Sequence, residues 1–151
     1  MEKNPFIYQL SEKIEYSKNG QFYETATIEL KAPSMKVFDL STKLSQLVMR
    51  ATLDAKDFAE DFKSEESTNQ EVGTAGIKMI LMSSKSVSFS DISNVSLKLF
   101  LKVGTFDGET KLKEAIINRL DIEDYTDMIC GYIANFIFPS LFSTEGERQA
   151  I

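Results

Sequence analysis

The strongest constraint in this sequence is the step Asn19-Gly20 between two aromatic-bearing flanks. Both central residues of a type I′ turn need positive φ, and Asn-Gly meets that demand with little strain. Ile14-Glu15-Tyr16 and Phe22-Tyr23 then pair as the arms of a hairpin. That register sets Tyr16 across from Tyr23, a favourable aromatic pair, and Glu15 across from Glu24, an unfavourable one. A neighbouring register with a bulge is the alternative. Along the second arm, Phe22, Ala26, Ile28 and Leu30 fall on one face of the strand. A lone hairpin is barely stable in water, so that face needs a helix to cover it. Upstream, Phe6, Tyr8 and Leu10 alternate with other residues as a short strand would.

Ala32-Pro33 ends the second arm, because proline lacks the donor a ladder needs. Ser34 is the expected N-cap of the next element. Val37, Leu40, Leu44, Leu47, Val48, Ala51, Ala55, Phe58 and Phe62 follow mainly at spacings of three and four, the core stripe of an amphipathic helix. It is either one long helix or two, with a bend near Thr52 to Asp54. Residues 63–74 are polar and without apolar period, which predicts a loop. A helix over about 75–84 turns Ile77, Ile80 and Leu81 inward. Ser90 is the expected cap of the next helix, with Asp91 in its first turn and Ile92, Val95, Leu99 and Val103 as its buried line. Gly104 is placed as a C′ glycine, residues 105–108 as a turn, and 109–120 as a helix with Leu112, Ile116 and Leu120 on one side. Asp121 caps the last helix, with Asp124 standing where a capping box carries Glu or Gln. Ile122, Tyr125, Ile129, Tyr132, Ile133 and Phe136 form its inner face, and Pro139 bounds it.

At 151 residues, with 42% hydrophobic and 26% charged residues, the chain reads as one domain with a full core. The expected fold class is α+β, mostly α: an N-terminal β-hairpin packed on a helical bundle of about four to five helices. The hairpin spans about 6–31, the helical part about 34–139, and a frayed polar tail 143–151. Eleven Phe and six Met with no Trp make an adaptable set of apolar fillers, suited to a yielding core or a yielding binding surface. The net charge of −6 argues against nucleic acid and anionic membrane as partners, since both are held by Lys/Arg patches. No apolar run approaches the roughly 20 residues that span a bilayer. The first 13 residues lack the apolar core of a signal peptide. The expectation is a soluble intracellular protein.

With no histidine, histidine-based triads and histidine metal ligands are excluded. Cys130 is the single cysteine, too few for a structural zinc site or an intrachain disulfide, and reads as a small core residue. Asp54, Asp57, Glu60, Asp61, Glu65 and Glu66 cluster, either as a solvated face or as a site for a divalent metal or a basic partner. Gly73-Thr74-Ala75-Gly76 fits neither a P-loop nor a dinucleotide fingerprint. No enzyme signature, cofactor motif or metal motif stands out. The remaining candidate is the run from Phe136 to Phe142. Its bulky residues cannot share one helical face, so they either fold back on the core or form a docking strip for self-assembly or a client helix. Phe136, Phe138, Leu141 and Phe142 are the candidate partner-binding residues.

Three segments carry a family resemblance: TIELKAPSMKVFDLSTKLSQLVMRA, VGTFDGETKLKEAI and LDIEDYTDMICGYIANFIFPSLF. Together they resemble the tail assembly chaperones of long-tailed bacteriophages, which are small, acidic, mainly helical proteins. The resemblance implies a non-enzymatic protein of the host cytoplasm that binds and solubilises the helix-rich tape-measure protein before the tail tube forms around it. The tape-measure protein is then the main partner, the tail tube protein a further one, and self-association is expected. The family has no catalytic residues, so none is carried over. The alternatives are a minor tail or baseplate protein retained in the virion, an acidic mimic of nucleic acid, and an enzyme with a carboxylate-bound metal.

Overall fold

The computed structural model describes residues 4–54, 76–106 and 110–138. Among these, the fold is α+β and mostly α, with a four-stranded antiparallel sheet in the order β1-β2-β3-β4. The strands are β1 (Phe6–Lys18), β2 (Gln21–Leu30), β3 (Gly104–Phe106) and β4 (Thr110–Lys111). The helices are α1 (Phe38–Asp54), α2 (Ile77–Ser83), α3 (Phe89–Val103), α4 (Glu114–Ile117) and α5 (Ile122–Tyr132). A 3₁₀ turn, Met35–Val37, leads into α1, and α5 runs on into a π-helical stretch, Ile133–Ile137. Within that stretch Asn135 Nδ2 donates to the Gly131 carbonyl at 2.7 Å, an added bond where the backbone turns widen.

The hairpin turn forms as its chemistry requires. Asn19 and Gly20 both have positive φ, 55° and 80°, and Tyr16 lies across from Tyr23 with rings stacked at 5.7 Å. The direct register holds at the turn, so Glu15 does face Glu24. Lys13 Nζ, 4.0 Å from the Glu24 carboxylate, relieves part of that repulsion. β1 is far longer than the short strand expected, because Phe6 and Tyr16 belong to one continuous strand.

The bulge lies farther from the turn, between Gln9 and Ile14. Leu10 to Lys13 there face Ala26 alone, a register shift of three residues. Side-chain direction alternates with period two, so an odd shift exchanges the faces of the partner strand. Ile28 and Leu30 are buried, but nearer the turn Thr25 is the buried residue and Phe22 is 85% exposed. The expected single face of Phe22, Ala26, Ile28 and Leu30 is therefore wrong at its turn-proximal end. No composition rule places a bulge of this size.

The sheet also extends beyond the hairpin. Gly104 is extended (φ −98°, ψ 147°), not a left-handed cap, and it begins β3. Phe106 pairs with Ile28 and meets Tyr16 edge-on at 4.8 Å. A β-carbon on Gly104 would stand 2.6 Å from the Phe100 carbonyl oxygen, so glycine is needed there for close approach. Thr105 and Phe106, expected in a turn over 105–108, belong to β3, and the helix expected over 109–120 gives way from Thr110 on to β4 and the short α4, with Leu112 buried ahead of it; residues 107–109 lie outside the described residues.

One cap falls on the expected residue and one does not. Ser34 occupies the cap position by its backbone, with Val37 N–H donating to its carbonyl, and its side chain makes no cap bond. Ser88, not Ser90, caps α3, its Oγ accepting from Asp91 N–H at 3.3 Å. α2 buries Ile77, Ile80 and Leu81, and α3 buries the whole line Ile92, Val95, Leu99 and Val103, as the spacing predicts. The core lies between the inner sheet face (Leu10, Ile14, Tyr16, Ile28, Leu30) and α1, α3 and α5. Phe100, Tyr132 and Phe136 form an edge-to-face series through it, with centroids 5.2 and 4.9 Å apart. Tyr132 Oη donates to the Lys31 carbonyl at 3.0 Å, so even this fully buried phenol is satisfied.

Candidate interaction surface

α1 has more apolar residues than one face can hold. Leu44, Val48, Ala51 and Thr52 are buried, with Leu40 and Leu47 packed beside them. That leaves Phe38, Met49 and Leu53, together with Met35 in the preceding turn. All four are exposed, Met35 by 83%, Phe38 by 56% and Leu53 by 67%. At 100° per residue they fall within one sector opposite Leu44 and Val48. Thr42 and Gln46 occupy the same sector midway along. Asp39, Lys43 and Arg50 stand along one flank, all exposed.

α2 continues this character. Its outer residues Met79 and Met82 are three apart and exposed, so they are neighbours on the helix surface. Asp54 ties the two helices. Its carboxylate accepts from Ser84 Oγ at 2.8 Å, from Ser86 N–H at 2.9 Å and from Ser86 Oγ at 3.0 Å. These bonds, that from Ser84 first, hold its carboxyl below the usual aspartate value. They bring the end of α2, next to Met82, to the end of α1, next to Leu53. Asp54 was expected in an acidic cluster; it is a clamp between helices. The other members of that cluster, Asp57, Glu60, Asp61, Glu65 and Glu66, lie outside the described residues, as do Ala55, Phe58, Phe62 and the 63–74 segment. Among the described residues no group of three or more Cys, Asp or Glu is placed to hold a metal ion, and no helix is long and apolar enough to cross a membrane.

The described part of the C-terminal strip, residues 136–138, is packed against the core. Phe136 is packed on Tyr132 with 7% exposure, Ile137 is buried, and Phe138 is half-buried against the core. Phe136 is therefore a core residue and not a docking side chain. Leu141, Phe142, Pro139 and the 143–151 tail lie outside the described residues. Cys130 is fully buried as expected, and burial, with Asp127 adding to it, pushes its thiol up to about 12.

Asp124 does something the capping-box analogy misses. Its carboxylate turns from its own helix to the β1 bulge and accepts from Tyr8 Oη at 2.9 Å, Ser11 Oγ at 2.6 Å and Ser11 N–H at 3.2 Å. Burial raises its pKa, but the bonds from Ser11 and Tyr8 outweigh burial and leave the carboxyl below the ordinary value. The same burial and the same bond push the Tyr8 phenol well up. Asp121 alone caps α5, accepting from Glu123 N–H at 3.4 Å. Ile122, expected on the inner face, is 76% exposed, and Asp124, Thr126 and Met128 are buried in its place. Asp124 and Arg119, whose Nη1 donates to the Glu15 carbonyl, both engage backbone groups of β1, which is an outer strand of the sheet. Side chains thus guard the strand edge against further pairing.

The outer stripe of α1 lies outside the expectations drawn from the sequence, yet it has a signal there. Met35, Phe38, Met49 and Leu53 are the apolar residues left over once the core stripe is assigned. No protein-family model, curated protein or solved structure matches the chain.

Proposed function

We propose that this chain is a tail assembly chaperone of a long-tailed bacteriophage, holding the tape-measure protein soluble in the host cytoplasm until the tail tube closes around it. The observation that carries the reading is the exposed apolar stripe of Met35, Phe38, Met49 and Leu53 along α1, with Met79 and Met82 also exposed on α2, which Asp54 ties to α1. Unbranched methionine side chains re-pack against varied apolar shapes, which suits a binder of many helical segments along one long client. The stripe runs along α1 for about 27 Å at 1.5 Å per residue, long enough to lie beside several turns of a client helix. The segment resemblance supplies the biological setting, and the surface supplies the means.

Co-expression with the long helical protein encoded downstream, followed by affinity pull-down, tests the reading. A soluble complex that is lost when Met49 and Leu53 are made polar is the expected result. A partner that stays insoluble and unbound ends the chaperone reading. Mass spectrometry of purified particles then decides the alternative, a minor tail or baseplate protein, which must be present in the virion.

A further inference from the structure

The outer face of α1 is nearly the same read in either direction. Met35 and Leu53, Phe38 and Met49, Thr42 and Gln46, and Asp39 and Arg50 are pairs of like or complementary residues. Each pair is centred within half a residue of Leu44. Phe38 and Met49 are 11 apart, close to three turns of 3.6, and share one azimuth on α1; Met35, in the 3₁₀ turn where residues three apart eclipse, stands over Phe38 on the same side as Leu53. Asp39 and Arg50 share the same flank, and neither forms an ion pair with another described residue.

We infer that α1 pairs antiparallel with α1 of a second copy of this chain, about a two-fold axis crossing the outer face at the level of Leu44. A two-fold interface uses the same patch twice, so the patch must be complementary to its own reversal. In the antiparallel arrangement Met35 packs on Leu53 of the second copy and Phe38 on Met49, each contact occurring twice. The small polar residues Thr42 and Gln46 meet at the axis. In antiparallel helix pairs each flank faces its own equivalent, so Asp39 lies beside Arg50 of the second copy, twice over. In a parallel pair each flank faces the opposite one, here that of Ser41 and Ser45, so Asp39 and Arg50 would gain no charged partner. Lys43 lies farther round the flank and can reach Asp39 of its own helix, four residues earlier.

The resemblance already implies self-association; what is inferred here is its surface and its antiparallel geometry, and these do not rest on the chaperone reading, because they require only α1 and the purified chain. The two meet at one point: pairing covers Phe38 and Met49, so a client and a second copy compete for them. A single helix pair is a small interface, and a dissociation constant on the order of micromolar fits it.

Sedimentation equilibrium of the full chain over a range of concentrations tests the pairing. The expected result is a reversible dimer that weakens as salt screens the Asp39–Arg50 contacts. D39R and R50D each replace two attractions by two repulsions and should weaken the dimer by about tenfold. The double variant D39R/R50D restores opposite charges across the axis and should return affinity to near wild type. F38D should leave a monomer with unchanged far-UV circular dichroism, since Phe38 is outside the core. A wild-type monomer at every concentration overturns the inference. So does a dimer indifferent to F38D, or a double variant as weak as the singles. Failure of co-expression with the client leaves all these outcomes readable.

Discussion

α5 and α1 use apolar residues in opposite ways. α5 is enclosed on nearly every side: Met128, Ile129, Cys130 and Tyr132 are fully buried, and Gly131 faces Phe6 so closely that a β-carbon would stand 2.5 Å from the ring. Its polar groups are occupied too, Asp124 by the β1 bulge and Tyr132 by the Lys31 carbonyl. α1 has one enclosed face and one open face of comparable apolar character. Burial gives α5 a structural task. On α1 it gives half the apolar residues such a task and leaves the rest without one, and exposed apolar area of that kind marks an interaction surface.

The comparison predicts a steep gradient of mutational cost between the two helices. Tyr132→Ala should be the most damaging substitution. It empties a fully buried site between Phe100 and Phe136 and strands the Lys31 carbonyl, and large-to-small aromatic truncations in cores cost about 3–5 kcal/mol. Chemical denaturation should show a large loss of midpoint or outright failure to fold. Tyr132→Phe, which removes only the hydroxyl, should cost about 1–2 kcal/mol and so separate packing from hydrogen bonding.

Next in size is Asp124→Asn. The amide keeps the shape but weakens charge-assisted bonds to Tyr8 and Ser11, and a hydrogen bond to a charged group contributes about 1.5–3 kcal/mol. The pH dependence has a definite sign. Asp124 is held below its ordinary value of 3.8, so its contribution is complete above that pH and is lost as pH falls through the lower folded value. Wild type should therefore lose stability in acid more steeply than Asp124→Asn, as measured by thermal melts from pH 6 downward. Equal acid slopes for the two proteins would remove Asp124 from the clamp.

How much of this was legible depends on whether the signal is local. The Asn19-Gly20 turn, its register, the core lines of α2 and α3 and the buried Cys130 all follow from spacing and backbone preference over a few residues. The fold class follows as well. What failed was set by distant partners. Gly104 to Phe106 carries a helix-end pattern, yet pairing with Ile28 and Leu30 draws it into the sheet. Asp124 sits where a capping box would, but Ser11, more than a hundred residues earlier in the chain, binds it instead. Ile122 fits the helical period and is nonetheless exposed, because the period gives a face and not what stands opposite. Phe136 stands both on the expected inner line of the last helix and among the candidate docking residues, and its burial decides for the first: an apolar run reports that burial is wanted, not whether the chain itself provides it.

The smallest effect on stability belongs to the open face of α1, and it is the most informative. Leu53→Ser and Met49→Gln remove apolar atoms already in water, and surface substitutions of this kind change stability by about 0.5 kcal/mol or less. Thermal midpoints should therefore stay close to wild type. If α1 presents this face to a client, the same substitutions should abolish recovery of the soluble tape-measure complex. A protein that folds normally and no longer holds its client separates the two uses of apolar residues within one helix. If the double variant instead unfolds, the outer face belongs to the fold after all, and α1 joins α5 as an enclosed helix.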